Sequence, residues 1–197
     1  MSSDSASTDV GTRWMLRYQG GDEGAFDHLV EHYSGKLFAL LTRFLGPVPQ
    51  REDLVQEVFL RVIRARERYE PTARFSTWLY RIAFNLCANE RERRRASTSL
   101  EQDAGEDASS IGWEDERVDP PSLALEREDT QTMVQRAIAE LPERQRMALI
   151  LAKYEDCSYA EIARALETSE KAIKSMIHRA RENLRAALAP LFEEQNQ

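Results

Sequence analysis

Between Ser158 and Arg185 the chain reads S-Y-A-E-I-A-R-A-L-E-T-S-E-K-A-I-K-S-M-I-H-R-A-R-E-N-L-R, and this stretch leaves little choice of local fold. Ser158 followed three residues later by Glu161 is a capping box, in which each side chain takes an otherwise unpaired backbone N–H at a helix start. A helix therefore begins near Tyr159, with Ile162, Ala163 and Leu166 as its apolar stripe. Glu167, Thr168 and Ser169 interrupt that stripe with a turn and a fresh N-cap. In the next helix Ile173, Ile177, Ala180 and Leu184 fall on one inward face, while Lys171, Lys174, Ser175, His178 and Arg181 face outward. The pattern is a helix-turn-helix.

From Lys171 to Arg185 five Lys or Arg residues stand against one Glu, so the second helix is positive inside a chain of formal charge -7. A basic helix in that position can enter the major groove, its first turns meeting base edges and its later arginines meeting phosphates. Lys174, Ser175 and His178 would then touch bases, and Arg179, Arg181 and Arg185 would hold the backbone. A solvated amphipathic helix in an ordinary bundle fits the same stretch taken alone.

Only 8 Gly and 7 Pro punctuate 197 residues otherwise rich in Arg, Glu, Leu and Ala, which favours an all-α protein. The start has no basic region followed by an apolar core, so no signal peptide is expected. The longest apolar runs are far below the ~18 residues that a spanning helix needs. The expectation is a cytoplasmic protein without stable membrane insertion. Cys87 and Cys157 lie far apart with no metal-ligand spacing around them, and His28 and His32 share a helix face without a third ligand. No Gly-rich phosphate loop, no metal cluster and no nucleophile with a nearby base is present, so no catalytic residue, metal or cofactor is expected, and the chain is not read as an enzyme.

In chain order, a short helix is expected over about Val10 to Tyr18. A long one follows Gly20-Gly21, with Phe26, Leu29, Val30, Tyr33, Leu37, Leu40, Leu41, Phe44 and Leu45 at helical spacing up to Gly46-Pro47. The next helix is expected from about Arg51 to Tyr69. Its inner rows are Leu54, Val55, Val58, Phe59, Val62 and Ile63, and its other face carries Asp53, Gln56, Glu57, Leu60, Arg61 and Arg64. Glu57 and Arg61 are spaced for a surface ion pair, and a solvated face is the plain reading of that side. Glu70 to Arg74 breaks the helix, and Ser76 or Thr77 would cap the following one. That helix sets Phe75, Tyr80 and Phe84 beside Arg74 and Arg81, with Trp78 in its inner stripe. Ten Arg against four Glu between residues 61 and 95 suit single-stranded nucleic acid, whose bases stack and whose phosphates need cations. For Phe75 and Trp78, a core position fits as well as base contact.

From Glu101 to Asp129 the character reverses, with eleven acidic residues against two Arg and few apolar ones. Such a segment cannot offset the entropy of ordering and reads as an extended tether, or as an imitation of nucleic acid in a basic channel. A helix near Ser122 to Glu140 and another after Pro142 then back the helix-turn-helix, giving two separately folded basic modules.

Four motifs in order carry a family resemblance: G-D-E-G-A-F-D-H-L-V-E-H-Y, E-D-L-V-Q-E-V-F-L-R-V, F-S-T-W-L-Y-R-I-A-F-N, and L-P-E-R-Q-R with the helix-turn-helix. Over about residues 12 to 190 the chain resembles the extracytoplasmic-function sigma factors of bacterial RNA polymerase. The resemblance implies two small helical domains joined by an acidic flexible linker. Residues 1–21 would be a tail and first short helix, 22–96 sigma region 2, 97–128 the linker, 129–190 sigma region 4, and 191–197 a tail. Region 2 would bind the clamp helices of the polymerase's largest subunit through Asp53, Gln56, Glu57, Leu60 and Arg61, overturning the solvated reading of that face. It would take the -10 element as single strand through Tyr69, Thr72, Arg74, Phe75, Trp78, Tyr80, Arg81 and Asn85, with the Tyr69 to Arg74 loop holding a flipped base. Region 4 would meet the flap of the second-largest subunit and read the -35 element through Ser169, Lys171, Lys174, Ser175, His178, Arg179 and Arg181.

The implied partners are core polymerase, promoter DNA and a restraining anti-sigma factor. One departure stands out: the turn before the recognition helix usually holds Gly and Thr in the family, and here it reads Ser169-Glu170-Lys171-Ala172. A stand-alone helix-turn-helix regulator is the alternative, and it would need a dimerising element that the sequence does not offer. An adaptor without a DNA role is a third reading, and it predicts little salt dependence for any binding.

Overall fold

The Asp9 carboxylate accepts from the Thr12 amide at 3.0 Å and starts helix α1, Val10–Gln19, which Gly20 and the left-handed Gly21 end. The computed structural model describes residues 9–46, 50–101 and 132–189, with the side chains of residues 91–101 excepted. Among the described residues every regular element is helical. Helix α2, Gly24–Leu45, stops where Gly46 takes a positive φ. Then come α3, Arg51–Arg64, a 3-10 turn at Arg66–Arg68, and α4, Phe75–Glu101. The second group is α5 at 132–140, α6 at Glu143–Tyr154, α7 at Tyr159–Ala165 and α8 at Glu170–Ala187.

The expected stripes are largely the buried ones, except that Ile63, expected in an inner row of α3, is 41% exposed because it stands at the edge of that row. Met15, Leu29, Leu37, Leu40, Leu41, Val58, Val62, Phe75 and Leu79 fill the first bundle, and Met147, Ile150, Leu151, Ile162, Ile173 and Ile177 fill the second. Four expectations are corrected or bounded. Helix α3 ends at Arg64 rather than near Tyr69, because the chain tightens into the 3-10 turn. Helix α4 starts at Phe75 without a cap from Ser76 or Thr77; its first amide donates to the Asp9 carboxylate and the Thr12 hydroxyl, and Thr77 is buried. The backbone of residues 97–101, expected in the linker, continues α4. The linker from residue 102 onward, the first part of the helix expected near 122–140, the Pro47–Pro49 turn and both terminal tails lie outside the described residues.

A further difference is larger. The two modules, read from sequence as separately folded, share one apolar core, with α6 against the end of α2 and α7 against α4. The join is a buried cation. Arg146, 2% exposed, donates to the Phe44 carbonyl at 2.9 Å, to the Leu141 carbonyl at 3.0 Å and to the Ala139 carbonyl, with its guanidinium lying over the Phe44 ring. Phe44 and Ala139 lie in the last turns of α2 and α5, whose final carbonyls lack intrahelical partners and carry the negative end of the helix dipole. One positive charge thus caps two helices from two modules. Replacing it by a neutral side chain of similar length, Arg146→Met, removes the donor that serves the buried Phe44 and Leu141 carbonyls, at a cost of about 3 kcal/mol. The expected outcome is a thermal midpoint lowered by roughly 6–12 °C in calorimetry; an unchanged midpoint would show that Arg146 does not join the modules.

Candidate nucleic-acid interface

The second helix of the helix-turn-helix is positioned by its two caps and its buried stripe. Ser158 and Glu161 form the full capping box of α7, and the Ser169 hydroxyl accepts from the Ala172 amide at 3.2 Å to start α8. Ile173, Ile177 and Ala180 are buried, whereas Leu184 is only half-buried. That fixes the rotation of α8, and Ser169, Lys171, Lys174, Ser175, His178, Arg179 and Arg181 all come out exposed, as does Arg185. The structure brings all seven candidate residues to one solvent-facing helix surface. His178 Nε2 lies 3.3 Å from Glu182, a contact that becomes an ion pair when the imidazole is protonated. In the turn, the residue with positive φ is Glu167, at 50°, where glycine would be free of strain and a side chain costs about 1 kcal/mol. Arg144 donates to the Leu166 carbonyl and closes the end of α7.

Six of the eight residues expected to take a single strand divide into three groups. Thr72 and Arg74 are exposed on the loop between the 3-10 turn and α4, and Asn85 is exposed further along α4. Trp78 is half-buried. Phe75, fully buried, and Tyr69, 4% exposed, belong to the core: Phe75 packs on Tyr33 at 5.2 Å and on Trp78 at 5.7 Å between ring centroids, and Tyr69 on Trp78 at 5.0 Å. This removes Phe75 and the Tyr69 ring from the surface set, because a ring that closes the apolar core has no free face for a base.

Tyr80 is a different case. It is 3% exposed, and what covers it is the second module: its hydroxyl donates to Glu155 at 2.6 Å. Burial, then that carboxylate, holds the phenol well above its ordinary range. Arg74 pairs with Glu161 at 3.3 Å and Arg81 with Glu167 at 3.5 Å, and Arg43 lies over the Tyr154 ring at 4.3 Å. Three candidate single-strand contacts are therefore held by three carboxylates of the helix-turn-helix module.

On α3, Asp53, Gln56 and Leu60 are exposed and Glu57 and Arg61 half-exposed, all along one helix face. The expected Glu57–Arg61 pair is present at 2.9 Å, and its hydrogen bond holds the Glu57 carboxyl below the usual range. Leu60 and Ile63 leave 44% and 41% of their surface in water beside these charges, an apolar strip suited to a partner helix. His28 and His32 flank the Trp14 ring, at 5.6 Å each, and no metal-holding group of side chains occurs among the described residues.

Three positioning residues escaped the sequence reading: Asp9, Gln19 and Arg146. Their partners lie 66, 47 and 102 residues away, so no local spacing announces them. The one sequence signal is Asp9 ahead of an apolar-periodic stretch, the mark of an N-cap.

Cys157 lies in the seam between the modules, where burial first, then the carboxylates of Glu161 and Glu155, pushes its thiol up to about 12. Since only the thiolate alkylates, iodoacetamide at pH 8 should label Cys157 at least ~100-fold more slowly in the native chain than in denaturant. Peptide mass spectrometry separates it from the fully buried Cys87. Equal rates would mean that the seam does not close around Cys157 in solution.

With this geometry in hand, comparison with known proteins is specific. Residues 29–97 match the family model of sigma-70 region 2, and residues 131–184 match that of sigma-70 region 4. The chain is 34% identical over 180 residues to the RNA polymerase sigma-H factor of Pseudomonas aeruginosa, covering 90% of this chain and 93% of that one. It is 37% identical over 181 residues to the ECF RNA polymerase sigma-E factor of Escherichia coli K12, covering 89% and 93%. Among solved structures it is similar to CnrH in complex with the cytosolic domain of CnrY, with a TM-score of 0.66, 24% identity and 92% and 99% of the two chains covered. It is likewise similar to the sigma factor RpoE in complex with the anti-sigma factor NepR from Bartonella quintana, with a TM-score of 0.66, 20% identity, and 83% and 96% covered. At those identities the two structures speak to the fold alone.

Proposed function

The chain belongs to the extracytoplasmic-function sigma factors of bacterial RNA polymerase, a non-enzymatic family acting in transcription initiation, and we propose which of its surfaces carries each step. The -35 element is read as duplex by α8. Lys174, Ser175 and His178 meet base edges, and Lys171, Arg179 and Arg181 meet phosphates, with the Ser169 end of the helix against the backbone. The observation that carries this reading is the single exposed face that gathers all of these residues above a buried stripe.

Core polymerase docks on Asp53, Gln56, Glu57, Leu60 and Arg61 of α3. The exposed Leu60 and Ile63 supply apolar area, and the charges around them set the register. The -10 strand is taken by the 69–74 loop with Thr72 and Arg74, by the accessible side of Trp78, and by Tyr80, Arg81 and Asn85. Phe75 supports this surface from beneath. Duplex opening is unfavourable, and binding extruded bases shifts it by differential affinity for the open state.

In the closed chain, Glu155, Glu161 and Glu167 hold Tyr80, Arg74 and Arg81, so DNA must displace three carboxylates. The free protein therefore binds promoters weakly, and docking on polymerase spaces two weak contacts into one bivalent grip. The molecule works in the cytoplasm, and an anti-sigma factor that covers the α3 strip would hold it idle. The RpoE–NepR complex, similar in fold, supports the existence of such a partner.

Purified chain mixed with core polymerase and a promoter library tests the reading. Transcripts with defined starts should need both components. Lys174→Ala with His178→Ala should lower use of the mapped promoter by about tenfold or more, as expected for lost base contacts. Arg179→Ala should weaken all promoters alike and reduce the salt slope by about 1. Unchanged start sites with and without the chain would sink the assignment.

A further inference from the structure

The loop at residues 70–74 is exposed, yet both of its ends are fastened to one helix that the proposed DNA-binding set does not include. At the entry, Gln19, the last residue of α1, points its amide nitrogen at three carbonyls: Arg66 at 3.0 Å, Glu67 at 3.2 Å and Tyr69 at 3.1 Å. An amide has two N–H donors, so three acceptors converge on one group and are shared among its bonds. At the exit, Asp9, the N-cap of the same helix, accepts from the Phe75 amide at 3.0 Å, from the Thr12 amide at 3.0 Å and from the Thr12 hydroxyl at 3.0 Å. The Thr12 hydroxyl also accepts from the Phe75 amide at 3.1 Å.

Between these fastenings α1 lies against α2 and the first residue of α4 as closely as a backbone can. A Cβ on Gly11 would stand 2.4 Å from the Tyr33 hydroxyl and 3.0 Å from the Phe75 ring. Glu70, Pro71, Thr72 and Arg74 are thus strung over a span set by the two ends of a ten-residue helix, about 15 Å.

We propose that α1 is a splint for base capture and that Gln19 is its positioning residue, holding the 69–74 loop in the shape that receives an extruded base. The inference rests on the base-capture role given to that loop above. A loop already fixed at both ends does not lose its conformational freedom on binding, so the captured base keeps its full contact energy. Releasing the entry carbonyls lets the loop sample other shapes, and the cost falls on the base contact alone. Neither polymerase docking on α3 nor duplex reading on α8 involves Gln19.

The test uses holoenzyme and the non-template strand of a promoter mapped as above, with an abasic site moved one position at a time through the -10 element. The wild-type chain should lose about tenfold in affinity at one position, as for a stacked and hydrogen-bonded base. Gln19→Leu should reduce that loss to within about twofold of none, with affinity for core polymerase unchanged. Gln19→Lys should restore it, since an ammonium has three donors for the three carbonyls. A Gln19→Leu holoenzyme that discriminates like wild type overturns the splint and leaves base capture standing. Loss in Gln19→Leu without restoration in Gln19→Lys assigns the effect to packing and overturns it too. A wild type with no sensitive position overturns base capture itself, and the splint with it.

Discussion

A single buried guanidinium decides how the halves of this molecule sit. Arg146 is charged, sealed from water and surrounded by carbonyls contributed by the ends of α2 and α5. Neither side would be tolerable alone: the buried Phe44 and Leu141 carbonyls deprived of this donor, and a cation buried without acceptors, both carry a desolvation cost. Together they cancel, but only with the modules in contact. The apolar residues that the modules then share, from Met15 to Ile177, complete one core instead of two.

That closure sets a competition at the surface where function is proposed. The seam takes its polar contacts from Arg74, Tyr80 and Arg81, side chains of the type that grips a nucleic acid strand, and meets them with carboxylates. Carboxylate and phosphate oxygens satisfy the same donors, so a surface built for one fits the other. Glu161 shows the economy of the arrangement, since it caps α7 and pairs with Arg74 at once. The exposed Leu60 and Ile63 and the basic face of α8 lie outside the seam and stay open in the same conformation.

Most of the fold was legible because it is written in local periodicity. The capping box at Ser158 and Glu161, the Ser169 cap and the stripe through Ile173 and Ile177 each involve partners within one or two helical turns, where spacing is enough. The face of α8 followed directly from them. The boundaries that failed did so for non-local reasons. Arg66 to Arg68 are good helix formers, yet α3 gives way to a 3-10 turn there and the freed carbonyls go to Gln19, 47 residues away. Helix α4 begins one residue before the Ser76 and Thr77 that looked like its caps, because Asp9 and Thr12 already satisfy the Phe75 amide.

Sequence by itself determined that the chain is helical, that it carries a basic recognition helix, and that four ordered motifs mark it as a sigma factor, since each of these depends on residue types at short, regular spacing. Only the tertiary structure decided that Phe75 is core, that Tyr80 faces a carboxylate, that α1 holds the 69–74 loop and that Arg146 draws the modules together. Contacts between residues 47 to 102 positions apart are selected by packing and by the need to pair buried polar groups. A linear pattern contains no trace of that selection.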